Sequence, residues 1–168
     1  MDSKYNQIAP QFLETLPQGA FLSVKAGEKI NTMTIGWGSI GFIWHKPVIM
    51  VAVRPSRFTF GLMEESADFT VSAPSNQSFS DALALAGSKS GRDLDKFAAA
   101  QLETSLGKTV DSPVINNCGL IIEGKIIYKQ EMNPEHLDMS IKNKFYPAGD
   151  YHMLYFGEIV AYYSNVME

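Results

Sequence analysis

Two stretches of this chain, residues 118–129 and 152–163, are dense in β-branched and aromatic side chains and read as long strands. Strands of that kind need hydrogen-bonded neighbours and a covered face, and the amino-terminal half supplies candidates. Residues 19–26, with Ala20-Phe21-Leu22-Ser23-Val24 at their centre, form a strand closed by the turn Ala26-Gly27-Glu28-Lys29. Residues 31–41 are rich in Thr, Ile, Gly and Trp and suit a strand whose glycines admit a close neighbour or a ligand. Residues 47–53 are nearly all apolar, so both faces of that strand are expected to be buried, and residues 68–73 alternate as a strand that ends in Pro74.

Helical spacing is confined to the middle. Residues 58–66 predict a short helix with acids at its end, and residues 79–86 and 94–102 predict two alanine- and leucine-rich helices. Between those two, residues 87–93 form a glycine-containing loop that carries Lys89 and Arg92. Residues 131–150 hold Asn133-Pro134 and Tyr146-Pro147-Ala148-Gly149-Asp150, which is turn chemistry, and the polar amino-terminal segment is assigned no element. The sum is a mainly β, mostly antiparallel barrel with a helical insertion, with a sandwich compatible with the same pattern.

Composition narrows the function classes. A chain of 168 residues with 45% hydrophobic and 19% charged residues is read as one globular domain, residues 1–168. The net charge of −4 provides no general basic field, so nucleic acid is not an expected partner and any anion binding must be local. The lone Cys118 excludes an intrachain disulfide and multi-cysteine metal sites. The start lacks the pattern of a signal peptide and no apolar run reaches membrane-spanning length, so a cytoplasmic protein that makes no use of a membrane is expected.

Several chemistries are excluded by spacing. His45, His136 and His152 are far apart and lack cysteine partners, which argues against zinc; no metal site is expected. A Walker loop is absent, and Gly36-Trp37-Gly38-Ser39-Ile40-Gly41 lies inside a strand-like region rather than at a strand-to-helix turn. Ser23 and Ser72 lack a nucleophile elbow, and apolar neighbours raise the pKa of Cys118. What remains is Arg54-Pro55-Ser56-Arg57-Phe58-Thr59, a pair of cations and a pair of hydroxyls at a turn between a strand and a helix, which makes a phosphate cradle. Beside it lies the hydroxyl-rich strand Asn31-Thr32-Met33-Thr34 with Trp37.

Those two motifs resemble the flavin reductase-like FMN-binding split-barrel family, near its flavoredoxin branch. Ser90-Gly91-Arg92-Asp93 with Asp95-Lys96-Phe97 is similar to that family's loop and helix near the flavin. Gly149-Asp150-Tyr151-His152, leading to Phe156-Gly157-Glu158-Ile159-Val160, is similar to its closing strand, with Tyr151 inserted before the histidine. The resemblance implies a Greek-key-like split β-barrel and an NAD(P)H-dependent FMN reductase, in which hydride from NADH or NADPH reaches flavin N5 and electrons pass to a second acceptor, a small molecule or a protein. It implies Thr32, Met33, Thr34 and Ile35 at the flavin ring, Trp37 beside the ring or in the core, and Arg54, Pro55, Ser56, Arg57 and Thr59 around the phosphate. Ser90, Gly91 and Lys96 join the cofactor site, His152 is the catalytic candidate, and a homodimer with FMN near its interface is expected. A non-catalytic FMN electron carrier and a pyridoxamine phosphate oxidase-like enzyme are the alternatives.

Overall fold

The computed structural model describes residues 5–166. The elements in chain order are α1 (Tyr5–Thr15), β1 (Ala20–Ala26), β2 (Lys29–Ile35), β3 (Gly38–Ile43), β4 (Lys46–Val53), α2 (Phe58–Glu65), β5 (Asp68–Pro74) and α3 (Ser80–Ser88). They continue with α4 (Lys96–Ala99), β6 (Thr104–Leu106), β7 (Pro113–Ile115), β8 (Gly119–Glu131), α5 (Met139–Phe145) and β9 (Met153–Ser164). One seven-stranded sheet runs β2-β1-β5-β8-β9-β4-β3, with every neighbouring pair antiparallel, and β6 and β7 form a separate hairpin.

Local chemistry sets this register. The β1–β2 hairpin pairs Ala26 with Lys29 across Gly27-Glu28, and Gly27 has φ 57°, the left-handed value that a tight hairpin turn needs. Strands β1 and β5 are covered on both faces, because two cores share them. Leu22, Val24, Phe69 and Val71 face the barrel interior with Ile49, Val51, Ile122 and Tyr155. Phe21 faces outward under Leu83, Ala86, Phe97, Leu102, Ile115 and Cys118, so the helical insertion and the β6–β7 hairpin cover the second face. Glu123 is fully buried there and accepts hydrogen bonds from the Lys108 and Thr109 backbone and the Tyr163 hydroxyl, which ties residues 107–109 to the sheet.

Residues 31–41 are two strands rather than one. β2 pairs with β1 at one end of the sheet and β3 pairs with β4 at the other, so Gly36-Trp37 carries the chain between the two edges. A Cβ at Gly38 would lie 2.8 Å from the Met50 carbonyl oxygen, which explains the glycine where the chain joins β4. The helix expected over 94–102 shortens to Lys96–Ala99 because Gln101 turns left-handed (φ 53°) and the Leu102 N–H returns to the Phe97 carbonyl, a closed C-terminal cap. Two helices arise where none is predicted. α1 buries Ile8 and Phe12, one helical turn apart, and α5 starts at Asp138, whose carboxylate accepts the N–H groups of Ser140 and Ile141. No helix among the described residues is long and apolar enough to cross a membrane.

Candidate functional site

The sheet does not close on itself: β2 ends one edge, and β4 lies one strand in from the other. A cleft of about 410 Å³ opens along this seam, lined by Met33, Thr34, Ile35, Gly36 and Trp37 on one side and by Ala52, Arg54, Ser56, Arg57 and His152 on the other. Among the described residues β2 pairs only with β1, so its second edge presents backbone N–H and C=O groups unpaired there to whatever occupies the seam. A smaller hollow of about 100 Å³ adjoins the cleft through the shared walls Met33, Ser56 and Arg57 and continues to Thr59, Ser88, Ser90 and Lys96.

Positive charge concentrates at that inner end. Lys96 is only 3% exposed, and its ammonium has one partner among the described residues, the Ala86 carbonyl at 2.7 Å. Burial, and then the nearby Arg57 charge, push its pKa down to about 8. Arg57 has no side-chain hydrogen bond or ion pair among the described residues, and α2 begins immediately after it without a side-chain cap, leaving its first N–H groups open. Lys89 and Arg92 stand at the rim. A buried ammonium with donors to spare, set beside a free guanidinium, is stabilised by an anion with several oxygens. The loop is shaped for close approach: a Cβ at Gly91 would meet Asn31 Oδ1 at 2.3 Å and Phe58 Cδ1 at 2.6 Å. Asn31 in turn donates to the Thr59 hydroxyl at 2.8 Å, which locks β2 to α2.

Arg54 and Ser56 are committed elsewhere. The Arg54 guanidinium donates to the Phe145 carbonyl (2.8 Å) and the Asp150 carbonyl (3.1 Å) and lies 4.8 Å from the Tyr146 ring centroid. The Ser56 N–H and hydroxyl both donate to the Asp150 carboxylate. The segment between β8 and β9 is therefore strapped across the outer end of the cleft.

That strap brings an aromatic wall. His152 is 9% exposed, its Nδ1 lies 2.7 Å from the Tyr146 hydroxyl, and its ring centroid lies 5.0 Å from that of Trp37. Burial and the Arg54 and Arg57 charges push its pKa down to about 4 against the opposing pull of Asp150, so the imidazole is neutral at neutral pH. Trp37 is 43% exposed and meets the edge of Phe145 at 5.2 Å, so it lines the cleft rather than filling the core. Cys118 is fully buried, and burial pushes its thiol up to about 12, which leaves it inert packing. Among the described residues no group of acids, histidines and cysteine is arranged to hold a metal.

The family model of the flavin reductase like domain matches residues 14–167. The chain belongs to that family. Solved structures share its fold, which is the split barrel. A flavoredoxin of Methanosarcina acetivorans superposes with a TM-score of 0.69 at 25% identity, covering 87% of this chain and 67% of that one. An FMN-binding protein of Thermus thermophilus, with bound 1-cyclohex-2-enone, superposes at 0.68 with 25% identity, covering 88% of this chain and 70% of its own. A second structure of a Thermus thermophilus FMN-binding protein, with bound p-hydroxybenzaldehyde, gives 0.66 at 26% identity, with 86% and 70% covered. An uncharacterized protein of Archaeoglobus fulgidus is 29% identical over 115 residues, which is 68% of this chain and 64% of that protein.

Within this flavin reductase-like fold, the residues named from sequence separate into groups. Met33, Thr34, Ile35, Trp37, Arg54, Ser56, Arg57 and His152 line the main cleft, and Thr59, Ser90 and Lys96 line the inner hollow. Gly91 faces a further cavity on the other side of the loop. Two do not line these walls. Thr32 is fully buried with its hydroxyl turned to Ser23 and the Leu22 carbonyl, because alternate side chains of β2 point to opposite faces. Pro55 shapes the turn without lining the cleft, and Thr34, although on the wall, spends its hydroxyl on the Leu83 carbonyl at 2.6 Å. Tyr146 and Asp150 carry site geometry for which the sequence names no role: Tyr146 reads as turn chemistry, and Asp150 as part of that turn and of the closing-strand motif, without a site function.

Proposed function

We propose that this protein binds FMN in the seam, accepts hydride from NADH or NADPH, and passes electrons to a second acceptor. The observation that carries the reading is the near-complete burial of the Lys96 ammonium beside the unpartnered Arg57, at the closed end of a cleft with an open strand edge. Lys96 and Arg57, with Ser88, Ser90 and the first N–H groups of α2, fit a phosphate. The free edge of β2 at Met33 to Ile35 offers backbone donors and acceptors to the polar rim of a flavin ring, and Trp37 offers an aromatic face. Bound FMN supplies a two-electron acceptor in its ring. The chain's own contribution is to hold the phosphate and orient the ring, with His152 as a neutral imidazole in the cleft wall; hydride transfer to the ring needs positioning more than a general acid.

The family membership and the FMN-binding Thermus thermophilus neighbours support flavin as the ligand. Two ligands in those neighbours are small carbonyl compounds, which supports a small-molecule acceptor; the likeness to flavoredoxin favours a second reading, an electron carrier that does not oxidise NAD(P)H. Exposed Trp44 at the β3–β4 turn meets exposed Tyr128 on β8 at 5.8 Å between ring centroids, and this apolar pair supports self-association as a homodimer. Anaerobic titration of the FMN-loaded protein with NADH and then NADPH separates the readings: bleaching of the flavin absorbance by either one is the reductase, and none by both is the carrier.

A further inference from the structure

Tyr146 and His152 hold one feature that the binding of flavin does not require. The phenol of Tyr146 is 3% exposed, and its hydroxyl has a single partner among the described residues, His152 Nδ1 at 2.7 Å. Two hydrogen arrangements fit that distance. If Nδ1 carried the hydrogen and donated, the buried phenol hydrogen would have no acceptor; if the phenol donates, both groups are satisfied. Arg54, 4.8 Å from the phenol ring, favours the phenol as donor, since a nearby positive charge makes the O–H more polar. Burial disfavours a charged imidazole, and the same guanidinium and that of Arg57 act in the same direction against the Asp150 carboxylate, with the pKa at about 4. A neutral imidazole has one N–H, so with Nδ1 accepting, the hydrogen sits on Nε2.

The position of Nε2 follows from the other polar atoms. Nε2 has no hydrogen-bond partner among the described residues, yet no buried side-chain nitrogen or oxygen there lacks a partner. Nε2 therefore reaches open space, and the space that His152 lines is the 410 Å³ cleft.

We propose that Tyr146 is a positioning residue that fixes His152 with its hydrogen on Nε2, giving the cleft a neutral donor for the carbonyl oxygen of a flat ligand resting against Trp37. The charged side chains around this donor are Arg54 and Arg57, which are also donors, and Asp150, whose carboxylate is held by Ser56; of the hydroxyls in the cleft wall, Thr34 donates to the Leu83 carbonyl and Ser56 to Asp150. That end of the cleft selects an acceptor atom. The ring of Trp37, 5.0 Å from the imidazole and tilted by 48°, selects a flat one. An aldehyde, enone, quinone or carboxamide meets both demands, whereas the corresponding alcohol offers a weaker acceptor and a competing hydrogen. The ligand class rests on the reading of the cleft as a flavin site; the tautomer does not.

The test has two parts. Long-range proton–nitrogen NMR of the wild-type protein without FMN, with His152 assigned by the signals lost in His152→Gln, reads the tautomer directly. The expected spectrum between pH 8 and 6 has a pyrrole-type Nε2 and a pyridine-type Nδ1. In Tyr146→Phe, which keeps the ring, these signals move toward an average of the two tautomers. A pyrrole-type Nδ1 in the wild type overturns the proposal whether or not the variant folds, and an unchanged tautomer in a folded variant removes Tyr146 from it. In the second part, p-hydroxybenzaldehyde and p-hydroxybenzyl alcohol are titrated into FMN-loaded protein. The wild type is expected to prefer the aldehyde by roughly three- to tenfold, the effect of one added hydrogen bond, and the variant to lose that preference. Equal affinities in the wild type overturn the ligand class. Failure to load FMN defeats the flavin reading and leaves the NMR result standing.

Discussion

Arg54 and Arg57 are three residues apart in one motif, yet the structure gives them different jobs, and alanine substitution separates them. Arg57→Ala removes a guanidinium with no partner among the described residues, so the apoprotein's stability should change by less than about 0.5 kcal/mol. With FMN bound as proposed, the same change removes one charge-assisted contact to its phosphate, about 1.5–3 kcal/mol, or roughly a 10- to 150-fold rise in Kd. Arg54→Ala removes two hydrogen bonds from a charged donor to the Phe145 and Asp150 carbonyls and the contact with Tyr146. Those bonds are partly exposed, so the loss is about 2–3 kcal/mol of stability rather than the full sum. Urea denaturation of the apoproteins reads stability, and quenching of FMN fluorescence reads affinity. An Arg57→Ala variant that is the destabilised one, or that binds FMN like the wild type, would overturn this division between the two arginines.

Three further outcomes follow from the same geometry. Because the free Lys96 ammonium titrates near pH 8 and a bound phosphate raises that value, FMN affinity should fall as pH rises above about 8, approaching tenfold per pH unit, and Lys96→Met should abolish this dependence. Gly91→Ala should weaken FMN binding and lower stability by about 1–3 kcal/mol, since its Cβ would meet Asn31 and Phe58 at 2.3 and 2.6 Å; unchanged thermal unfolding would show that the loop gives way freely. His152 takes its proton near pH 4 when folded and near 6.5 when unfolded, so its contribution is intact above pH 6.5 and is lost as pH falls to about 4, with no further loss below. His152→Gln should flatten the stability curve by up to about 3 kcal/mol in that window, measured by urea denaturation across pH.

Legibility in the sequence followed the range of the interactions. Strands with strong β chemistry, such as 47–53 and 118–129, lie within a residue or two of β4 and β8, because burial on the sheet and local propensity agree there. The break at Gly36-Trp37 was not legible, since the β3–β4 hairpin is carried to the far end of the sheet by the pairing of β4 with β9, 100 residues or more along the chain. α5 was masked by Pro134 before it and Pro147 and Gly149 after it, although Asp138 with Ser140 and Ile141 is a capping signal that a short helix needs. In the site, cations near a hydroxyl-rich strand could be read from spacing. That Ser56 is held by Asp150 and Thr34 by Leu83 could not, because both partners come from elements far along the chain.

In the proposed site the seam holds FMN by its phosphate at Lys96 and Arg57, which line the inner hollow. Equilibrium titration of the purified apoprotein with FMN and with riboflavin, which has the same ring and no phosphate, tests it in one experiment. One FMN per chain is expected, with riboflavin bound about 100-fold more weakly or worse, the effect of losing contacts to two cations. Equal affinity for the two flavins, or no affinity for either, would contradict it.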